Sequence, residues 1–360
     1  MKTDLTAEQK DFAIFLPAIS SFYSGYIGAQ QTNPNAVPPS RMPNGIPDME
    51  MLNFFNKNEG IFQYKWGLYS AGHAKLNLAK EVPKEDMIRK RSSDTFLLAD
   101  SGGYQIGKLR WPARWNDPSC KRAEKYRSEV LEWLSNISEY SMTLDVPAWM
   151  IKNPNSAAVA GIATYQDSVE ATKYNHEYFV KNASGKAKFL NVLQGSDHAT
   201  ADHWYGEMKE FNDPSKHENF FQGWAYGGIY TGDPHIAIRQ LVIMIDEGYM
   251  EEGVHDWLHV LGTSKMEWAV LLTAIQRAVR RTHNKNFTVS FDCASPFLAA
   301  ANGQIYYETI APDYRQLTKK HKSGKWSYRM GPTIDDKNFS NDTRPFDQAV
   351  IASGLNPNYE

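Results

Sequence analysis

Short apolar or β-branched runs recur along this chain, and each one ends at a polar residue or a glycine. The runs occupy residues 95–99, 140–144, 188–193, 222–226, 256–261 and 287–291. A short, continuous apolar run is typical of a strand buried on both faces of a parallel sheet. The pattern therefore predicts six parallel strands, and the residues that end them are Asp100, Asp145, Gln194, Gly228, Gly262 and Asp292.

Helical segments lie between these runs. Residues 121–140 carry apolar side chains on one helical face, and residues 265–281 follow Ser264, with Glu267 in the position of a capping box. Alternating strands and helices fit either an open, doubly wound sheet or a closed (β/α)8 barrel. Candidate site residues at six strand ends favour the barrel, because its βα loops converge on one mouth, whereas an open sheet binds ligands at one switch point.

We therefore expect an α/β fold, a (β/α)8 TIM barrel with insertions, over residues 1–311. Two further strands are predicted upstream, within residues 12–19 and 62–68. Residues 32–48 are rich in proline and are expected to form a long loop. Residues 312–360 are rich in Lys, Arg and aromatic residues, and we expect a basic C-terminal extension there rather than an independent domain.

Composition excludes several classes of protein. The 360 residues are 42% apolar and 22% charged, which is enough to bury a large core and does not predict disorder. A formal net charge of −2 argues against a uniformly basic nucleic-acid coat, although local basic patches remain compatible with it. Two cysteines suit a reducing compartment, and the first residues match neither a secretory signal nor a membrane span. We expect a cytoplasmic protein, in the host cytoplasm if the source is viral.

The segment Asp-Ser-Gly-Gly-Tyr-Gln at 100–105 directly follows a predicted strand. Its two glycines allow a sharp turn and a close approach of the backbone to a flat ligand, although turn chemistry alone also explains them. Residues 102–108 match the spacing of a phosphate-binding loop. Leu109 follows where that loop requires Ser or Thr, so the match is disfavoured.

A second carboxylate, Asp292, ends the last predicted strand in the segment Ser-Phe-Asp-Cys-Ala-Ser-Pro at 290–296. Two aspartates at one barrel mouth can take different catalytic roles, because one can attack an anomeric carbon while the other moves a proton. Taken singly, each of Asp100 and Asp292 would more often be a helix cap or a turn residue. Together they predict a site for glycosyl transfer.

The chain resembles the tRNA-guanine transglycosylases and their DNA-modifying relatives over about residues 97–296. The resemblance rests on six motifs in the order of that family. They are Asp-Ser-Gly-Gly-Tyr-Gln (100–105), Leu-Asp (144–145), Val-Leu-Gln-Gly (192–195), Gly-Trp-Ala-Tyr-Gly-Gly-Ile-Tyr-Thr-Gly-Asp (223–233), Leu-Gly (261–262) and Phe-Asp-Cys-Ala-Ser-Pro (291–296). Each motif alone is weak, and the six together are specific.

The resemblance implies a role for each matching residue. Asp292 is expected to be the nucleophile that takes C1′ of a guanosine and expels guanine, and Asp100 the general acid/base that deprotonates the incoming 7-deazaguanine. No cofactor is expected. Carboxylate, amide and backbone groups suit the edge of a guanine, and an aromatic ring suits its face. The expected base-binding residues are Tyr104, Asp145, Gln194, Gly227, Gly228, Ile229 and Leu261.

The chain also departs from the family. Members that act on tRNA usually hold zinc after the nucleophile strand through three cysteines and a histidine, and no cysteine follows Cys293 here. His255 and His259 have the spacing of zinc ligands on a helix but fall in a predicted strand, so no metal site is expected. Val146 and Pro147 differ from the residues common in the family, which bears on base selectivity.

The missing zinc ligands make the chain more similar to the phage-type DNA 7-deazaguanine transglycosylases, so we expect DNA as the partner and tRNA as the alternative. A duplex would have to flip its guanosine out of the stack. Basic stretches interleaved with aromatic residues are candidate phosphate and base contacts, or else a solvated charged face. The candidates are Arg89, Lys90, Arg91, Lys108, Arg110, Lys319, Lys320, Lys322 and Lys325.

Two other classes of function stay open. A non-catalytic subunit that binds nucleic acid would be expected to lose the nucleophile, whereas Asp292 is present. A phosphate-binding barrel enzyme would carry a glycine-rich site after its last two strands, and only Asn302 and Gly303 offer a trace of one. The inserted base, which we expect to be preQ0-like, is not fixed by the sequence, and neither is the oligomeric state.

Overall fold

The computed structural model describes residues 11–37, 42, 45–263 and 265–301. Eight parallel strands form one sheet in the order β1-β8-β7-β6-β5-β4-β3-β2. The strands are β1 (Ile14–Pro17), β2 (Trp66–Ser70), β3 (Phe96–Asp100), β4 (Tyr140–Met142), β5 (Lys188–Leu193), β6 (Gly223–Tyr226), β7 (Trp257–Val260) and β8 (Thr288–Cys293).

The two ends of this strand order meet, which turns the sheet into a barrel. Ala18 and Leu68 form a parallel bridge just beyond β1, and the backbone N–H of Ile19 donates to the carbonyl of Leu68 at 2.8 Å. Every strand is therefore flanked by two others. The chain folds as the predicted (β/α)8 TIM barrel.

Helices surround the barrel and connect its parallel strands. The α-helices are α1 (Ser21–Thr32), α2 (Asp86–Arg89), α3 (Gly103–Gly107), α4 (Lys121–Ile137), α5 (Pro154–Ala160), α6 (Tyr165–Asn182), α7 (His198–Met208), α8 (Pro234–Asp246), α9 (Met266–Thr282) and α10 (Ser295–Ala301). Short 3₁₀ helices add Met49–Leu52, Pro83–Glu85, Ala148–Lys152, Lys209–Asn212 and Gly228–Thr231. None of the helices in the described ranges combines the length and the apolar character that a membrane crossing requires.

The predicted strands agree closely with the observed ones, and β5 matches at both ends. The main difference is at β2, which begins at Trp66 rather than at residue 62, because Phe62 is half exposed and packs on Phe54 outside the sheet. The helix predicted at 121–140 ends at Ile137, since Tyr140 already begins β4.

Two predicted features lie only partly within the residues that the structure describes. Helix α9 has Lys265 at its N-cap without a side-chain hydrogen bond, and Ser264 lies outside the described residues. The proline-rich segment 32–48 is described at 33–37, 42 and 45–48, where it follows α1. The predicted extension, 312–360, lies outside the described residues.

The barrel interior changes character along its axis. Alternate residues of a strand face the same side, and the inward positions near the amino ends are apolar and aromatic. Phe96 stacks on Trp257 with ring centroids 4.9 Å apart, and Leu98 fills the next layer. Asp100 occupies the inward position after Leu98, at the carboxyl end of β3. Polar side chains therefore project into the mouth of the barrel above a packed apolar floor.

Candidate active site

Asp100 lies at the carboxyl end of β3, directly before a glycine turn. Its Oδ1 accepts a hydrogen bond from the backbone N–H of Gly102 at 3.2 Å. Gly102 has φ of +89°, a left-handed conformation that favours glycine, and a side chain there would also collide with the ring of Trp111. The glycines form the sharp turn that the sequence predicted, and this turn holds the carboxylate of Asp100.

Buried Asp145, which follows β4, forms a pair with half-buried Gln194, which follows β5. The amide Nε2 of Gln194 donates to Oδ2 of Asp145 at 2.9 Å, and Asp145 is only 6% exposed. The backbone of Gly103 lies against this carboxylate, because a Cβ added there would sit 2.4 Å from Oδ1 of Asp145. The glycine turn after β3 therefore brings Asp100 and Asp145 into one site.

Asp292 belongs to β8 and is buried at the same mouth. Its Oδ1 accepts the backbone N–H of Gly262 at 2.9 Å and faces Nε2 of His259 at 3.2 Å. His259 is fully buried and its Nδ1 faces Oγ of Ser290 at 2.8 Å. The nucleophile proposed from sequence is therefore held by β7, by the loop after it and by its own strand.

The three carboxylates share an electrostatic environment. Burial raises the pKa of Asp100; hydrogen bonds from Ser70 and Gly102 lower it, and the nearby charge of Asp292 raises it further. Burial and the charge of Asp100 raise the pKa of Asp145 to about 7, against a lowering by the Gln194 hydrogen bond. Strongly shifted carboxyl groups in a barrel mouth are typical of a functional site.

An exposed aromatic pair borders this mouth. Tyr104 is 57% exposed and its ring lies 5.4 Å from the ring of Trp149, which is 38% exposed. The ammonium group of Lys108 lies over both rings, 5.3 Å from the centroid of Tyr104 and 5.8 Å from that of Trp149. A cation above two open rings can contact a phosphate while a base stacks on an aromatic face.

The remaining predicted base-binding residues lie around Gln194. The position of a Cβ on Gly227 would be 2.9 Å from Nε2 of Gln194. Gly228 and Ile229 begin the 3₁₀ helix after β6, where the N–H of Ile229 donates to the carbonyl of Gly195 at 3.0 Å. Leu261 follows β7 and packs against the inner apolar cluster. Each of these residues therefore lies at or near the carboxyl end of its strand, as predicted.

The predicted nucleic-acid contacts separate into three groups. Lys108 and Arg110 are exposed beside the glycine turn, with Nη1 of Arg110 directed at the carbonyl of Gly72 at 3.4 Å. The segment 89–91 instead makes internal ion pairs, as described next. The four lysines 319, 320, 322 and 325 lie outside the described residues.

Internal ion pairs occupy the basic segment 89–91. Arg89 pairs with Glu85 and Lys90 with Asp86, at 2.9 and 2.7 Å. Arg91 binds Glu139 at 2.7 Å, directly before the first residue of β4 and therefore at the amino end of the strands. These contacts do not bring the segment to the acidic mouth.

Lys90 also lines a cavity of about 380 Å³ that is separate from the carboxylates. Gln30, Asp48 and Glu50 contribute to its wall, near the C-terminal end of α1 and the segment that leads to β2. Its polar groups bind one another: Gln30 accepts the N–H of Met49, and Lys90 binds Asp86. The cavity is therefore a polar pocket that shares no lining residue with the barrel mouth.

His255 and His259 have the spacing of a metal-ligand pair on a helix, but here the two rings contact different residues. Nε2 of His255 faces the carbonyl of Asn212 at 2.8 Å, whereas His259 faces Ser290 and Asp292. Over the residues described, no three His, Cys, Asp or Glu side chains are arranged to hold a metal ion.

The sequence did not predict the contact of His259 with Asp292 or the position of Trp149 beside Tyr104. Alternation along β7 could have placed His259 on the inward face two residues after Trp257, whereas a single tryptophan in a 3₁₀ helix of five residues gives no periodic signal. In comparisons with known proteins, neither the protein-family models nor the curated sequences gave a match to this chain.

Proposed function

We propose that this protein is a transglycosylase that exchanges guanine in DNA for a 7-deazaguanine base, through a covalent intermediate on Asp292. The observation that carries this proposal is the electrostatic contact between Asp100 and Asp292 at one barrel mouth, beside the Asp145–Gln194 pair. Paired carboxylates suit a double displacement at an anomeric carbon. The carboxylate and amide of the Asp145–Gln194 pair beside them suit the edge of a guanine.

In the first half of the reaction, a carboxylate oxygen of Asp292 forms a bond to C1′ while the bond from C1′ to the glycosidic nitrogen of guanine breaks. Asp100 gives its proton to that nitrogen, so guanine leaves as the neutral base. Burial and the charge of Asp292 both favour a protonated Asp100 before the reaction. Ester formation neutralises Asp292, which makes Asp100 a stronger acid as guanine departs.

The second half reverses these steps with a different base. The glycosidic N–H of the 7-deazaguanine gives its proton to Asp100, and the nitrogen then attacks C1′ and releases Asp292 as a carboxylate. The returning negative charge strengthens Asp100 as a base while the proton is transferred. Two displacements at C1′ restore the original configuration of the nucleotide.

Base recognition falls to Asp145 and Gln194. A guanine edge offers N–H donors beside one carbonyl oxygen. The carboxylate of Asp145 can accept the donors, and an amide N–H of Gln194 can donate to the carbonyl. Both side chains are preorganised by their mutual 2.9 Å hydrogen bond. A 7-deazaguanine keeps the same edge, so one pocket can bind both the leaving and the entering base.

The choice of DNA as the polymer has separate support. The printed sequence has no cysteine after Cys293, which leaves the zinc site of the tRNA-acting relatives without its thiolate ligands. Tyr104, Trp149 and Lys108 offer stacking and phosphate contacts that suit an unpaired strand near a flipped nucleotide.

Release of labelled guanine tests the proposal. Duplex DNA and tRNA that carry radiolabelled guanine are incubated with the protein and a 7-deazaguanine such as preQ0, and release is counted for each polymer. We expect release from DNA and a covalent protein–DNA adduct on denaturing gels. Asp292→Asn should lower both guanine release and adduct formation by at least about 10⁴-fold, as loss of a covalent nucleophile does.

The control is Asp246→Asn, which changes an exposed aspartate at the end of α8 and should leave release unchanged. Release confined to tRNA would overturn the assignment of DNA and keep the base exchange. If neither polymer releases guanine and no adduct forms, the proposed exchange reaction is wrong.

A further inference from the structure

The carboxylate of Asp292 is held through one of its two oxygens. Oδ1 receives the N–H of Gly262 and faces Nε2 of His259, whereas within the described part of the chain no hydrogen bond reaches Oδ2. The parallel register explains this geometry, because His259 lies opposite Ser290 in the β7–β8 ladder and Asp292 is two residues further along β8. Ser290 and Asp292 therefore share the inward face with the imidazole.

The direction of the hydrogen bonds follows from the donor that begins the series. Nε1 of Trp257 donates to Oγ of Ser290 at 2.8 Å, and an indole nitrogen can only donate. The Ser290 hydroxyl keeps one proton, and the acceptor it meets is Nδ1 of His259 at 2.8 Å. If Nδ1 accepts, Nε2 carries the hydrogen and donates to Oδ1 of Asp292.

The other protonation states of His259 fit this surrounding less well. A proton on Nδ1 alone would turn the bare lone pair of Nε2 toward a carboxylate oxygen at 3.2 Å. A doubly protonated ring would leave the Ser290 proton without an acceptor among the described residues. The neutral ring with hydrogen on Nε2 satisfies every group.

We propose that Trp257, Ser290 and His259 form a directed hydrogen-bond relay that positions Asp292 and leaves Oδ2 as its attacking oxygen. The inference rests on the proposed transglycosylase function. When Oδ2 forms the bond to C1′, Oδ1 becomes the carbonyl oxygen of the ester and keeps both donors. His259 is thus a positioning residue, which holds the carboxylate in the same orientation before, during and after the covalent step.

Two replacements of His259 separate donation from packing. Leucine fills similar space without a donor, whereas the Nε2–H of glutamine can replace that of the imidazole. In single-turnover adduct formation on duplex DNA, we expect His259→Leu to be slower by about 10²-fold and His259→Gln to recover at least about tenfold of that loss. Affinity for the free 7-deazaguanine should stay within about threefold, since Asp145 and Gln194 are unchanged.

Thermal unfolding identifies variants that fail to fold, and the wild-type protein supplies a measurement that needs a variant only to assign its signal. In ¹⁵N-histidine NMR spectra, the signal lost in His259→Gln should show hydrogen on Nε2 and a bare Nδ1. A folded His259→Leu protein with wild-type adduct kinetics would overturn the positioning role. A ring protonated on Nδ1 would overturn the relay. If wild-type protein forms no adduct with DNA or tRNA, the proposed function fails, and the NMR result alone decides the relay.

Discussion

Replacing Asp145 with asparagine should stabilise the protein in alkaline solution while weakening its affinity for a base. Burial and the charge of Asp100 raise the pKa of Asp145 to about 7, from a usual value of 3.8. The folded state therefore binds the Asp145 proton more tightly than the unfolded chain does. Between these two pKa values the folded state holds more protons, so stability falls as pH rises through this window.

The size of this loss follows from the shift. Each unit of pKa difference corresponds to about 1.4 kcal/mol, so a rise from 3.8 to about 7 corresponds to at most about 4 kcal/mol above pH 8. Asparagine has no charge to bury and can still accept the amide hydrogen of Gln194. We expect Asp145→Asn to match the wild type near pH 4 and to gain about 1 to 4 kcal/mol at pH 8.

Thermal and urea unfolding at pH 4.5, 6 and 8 measure this gain. For a chain of 360 residues, a stabilisation of 1 to 4 kcal/mol corresponds to a rise in Tm of roughly 1 to 5 °C. Glu170→Gln, which neutralises an exposed carboxylate on α6, is the control and should show no such pH-dependent gain. An Asp145→Asn protein that is no more stable than the wild type at pH 8, or equally stabilised at pH 4.5, would refute the reasoning.

Three further predictions concern binding at the mouth. A base that donates hydrogen bonds to Asp145 favours the charged form of this residue, so the affinity for 7-deazaguanine should fall up to about tenfold per pH unit below 7. Calorimetry in two buffers should detect the proton that is released on binding. Equal affinity at pH 6 and pH 8 would contradict this prediction. Trp149→Ala should weaken binding of single-stranded DNA by about 1 to 3 kcal/mol in fluorescence titrations, whereas Phe62→Ala, another exposed aromatic, should not. Gly103→Ala should abolish base binding, because the added Cβ would lie 2.4 Å from Oδ1 of Asp145. The control is Gly206→Ala in α7, where a Cβ meets open space, and this variant should bind the base normally.

The fold could be predicted from sequence because its strands are short, continuous apolar runs. β5 and β8 are buried along nearly their whole length, so the pattern of residues gives their bounds within two positions. β2 was placed too early because residues 61 and 62 are apolar yet half exposed. Apolar character alone does not distinguish a strand in the barrel from a surface cluster beside it.

The site could be predicted only where a residue ends a strand. Asp100 and Asp292 carry that signal, whereas the contact of His259 with Asp292 depends on the register of β7 against β8, which no local pattern encodes. The basic segment 89–91 shows the opposite problem. Its charges predict a nucleic-acid contact, and the local sequence gives no sign that the partner of Arg91 is Glu139, which is 48 residues away.

Trp257 contacts both the apolar floor of the barrel and the polar side chains of its mouth. Its ring stacks on Phe96 in the apolar floor, with an interplanar angle of 10°, while its N–H begins the hydrogen bonds that end at Asp292. A tightly packed aromatic has little freedom to rotate, so the direction of its N–H is fixed by packing. Buried carboxylates in the mouth reduce stability, and apolar packing below them offsets that loss. The same packing fixes the first donor of the hydrogen bonds that reach Asp292, so one aromatic layer both stabilises the barrel and orients the carboxylate that we propose as the nucleophile.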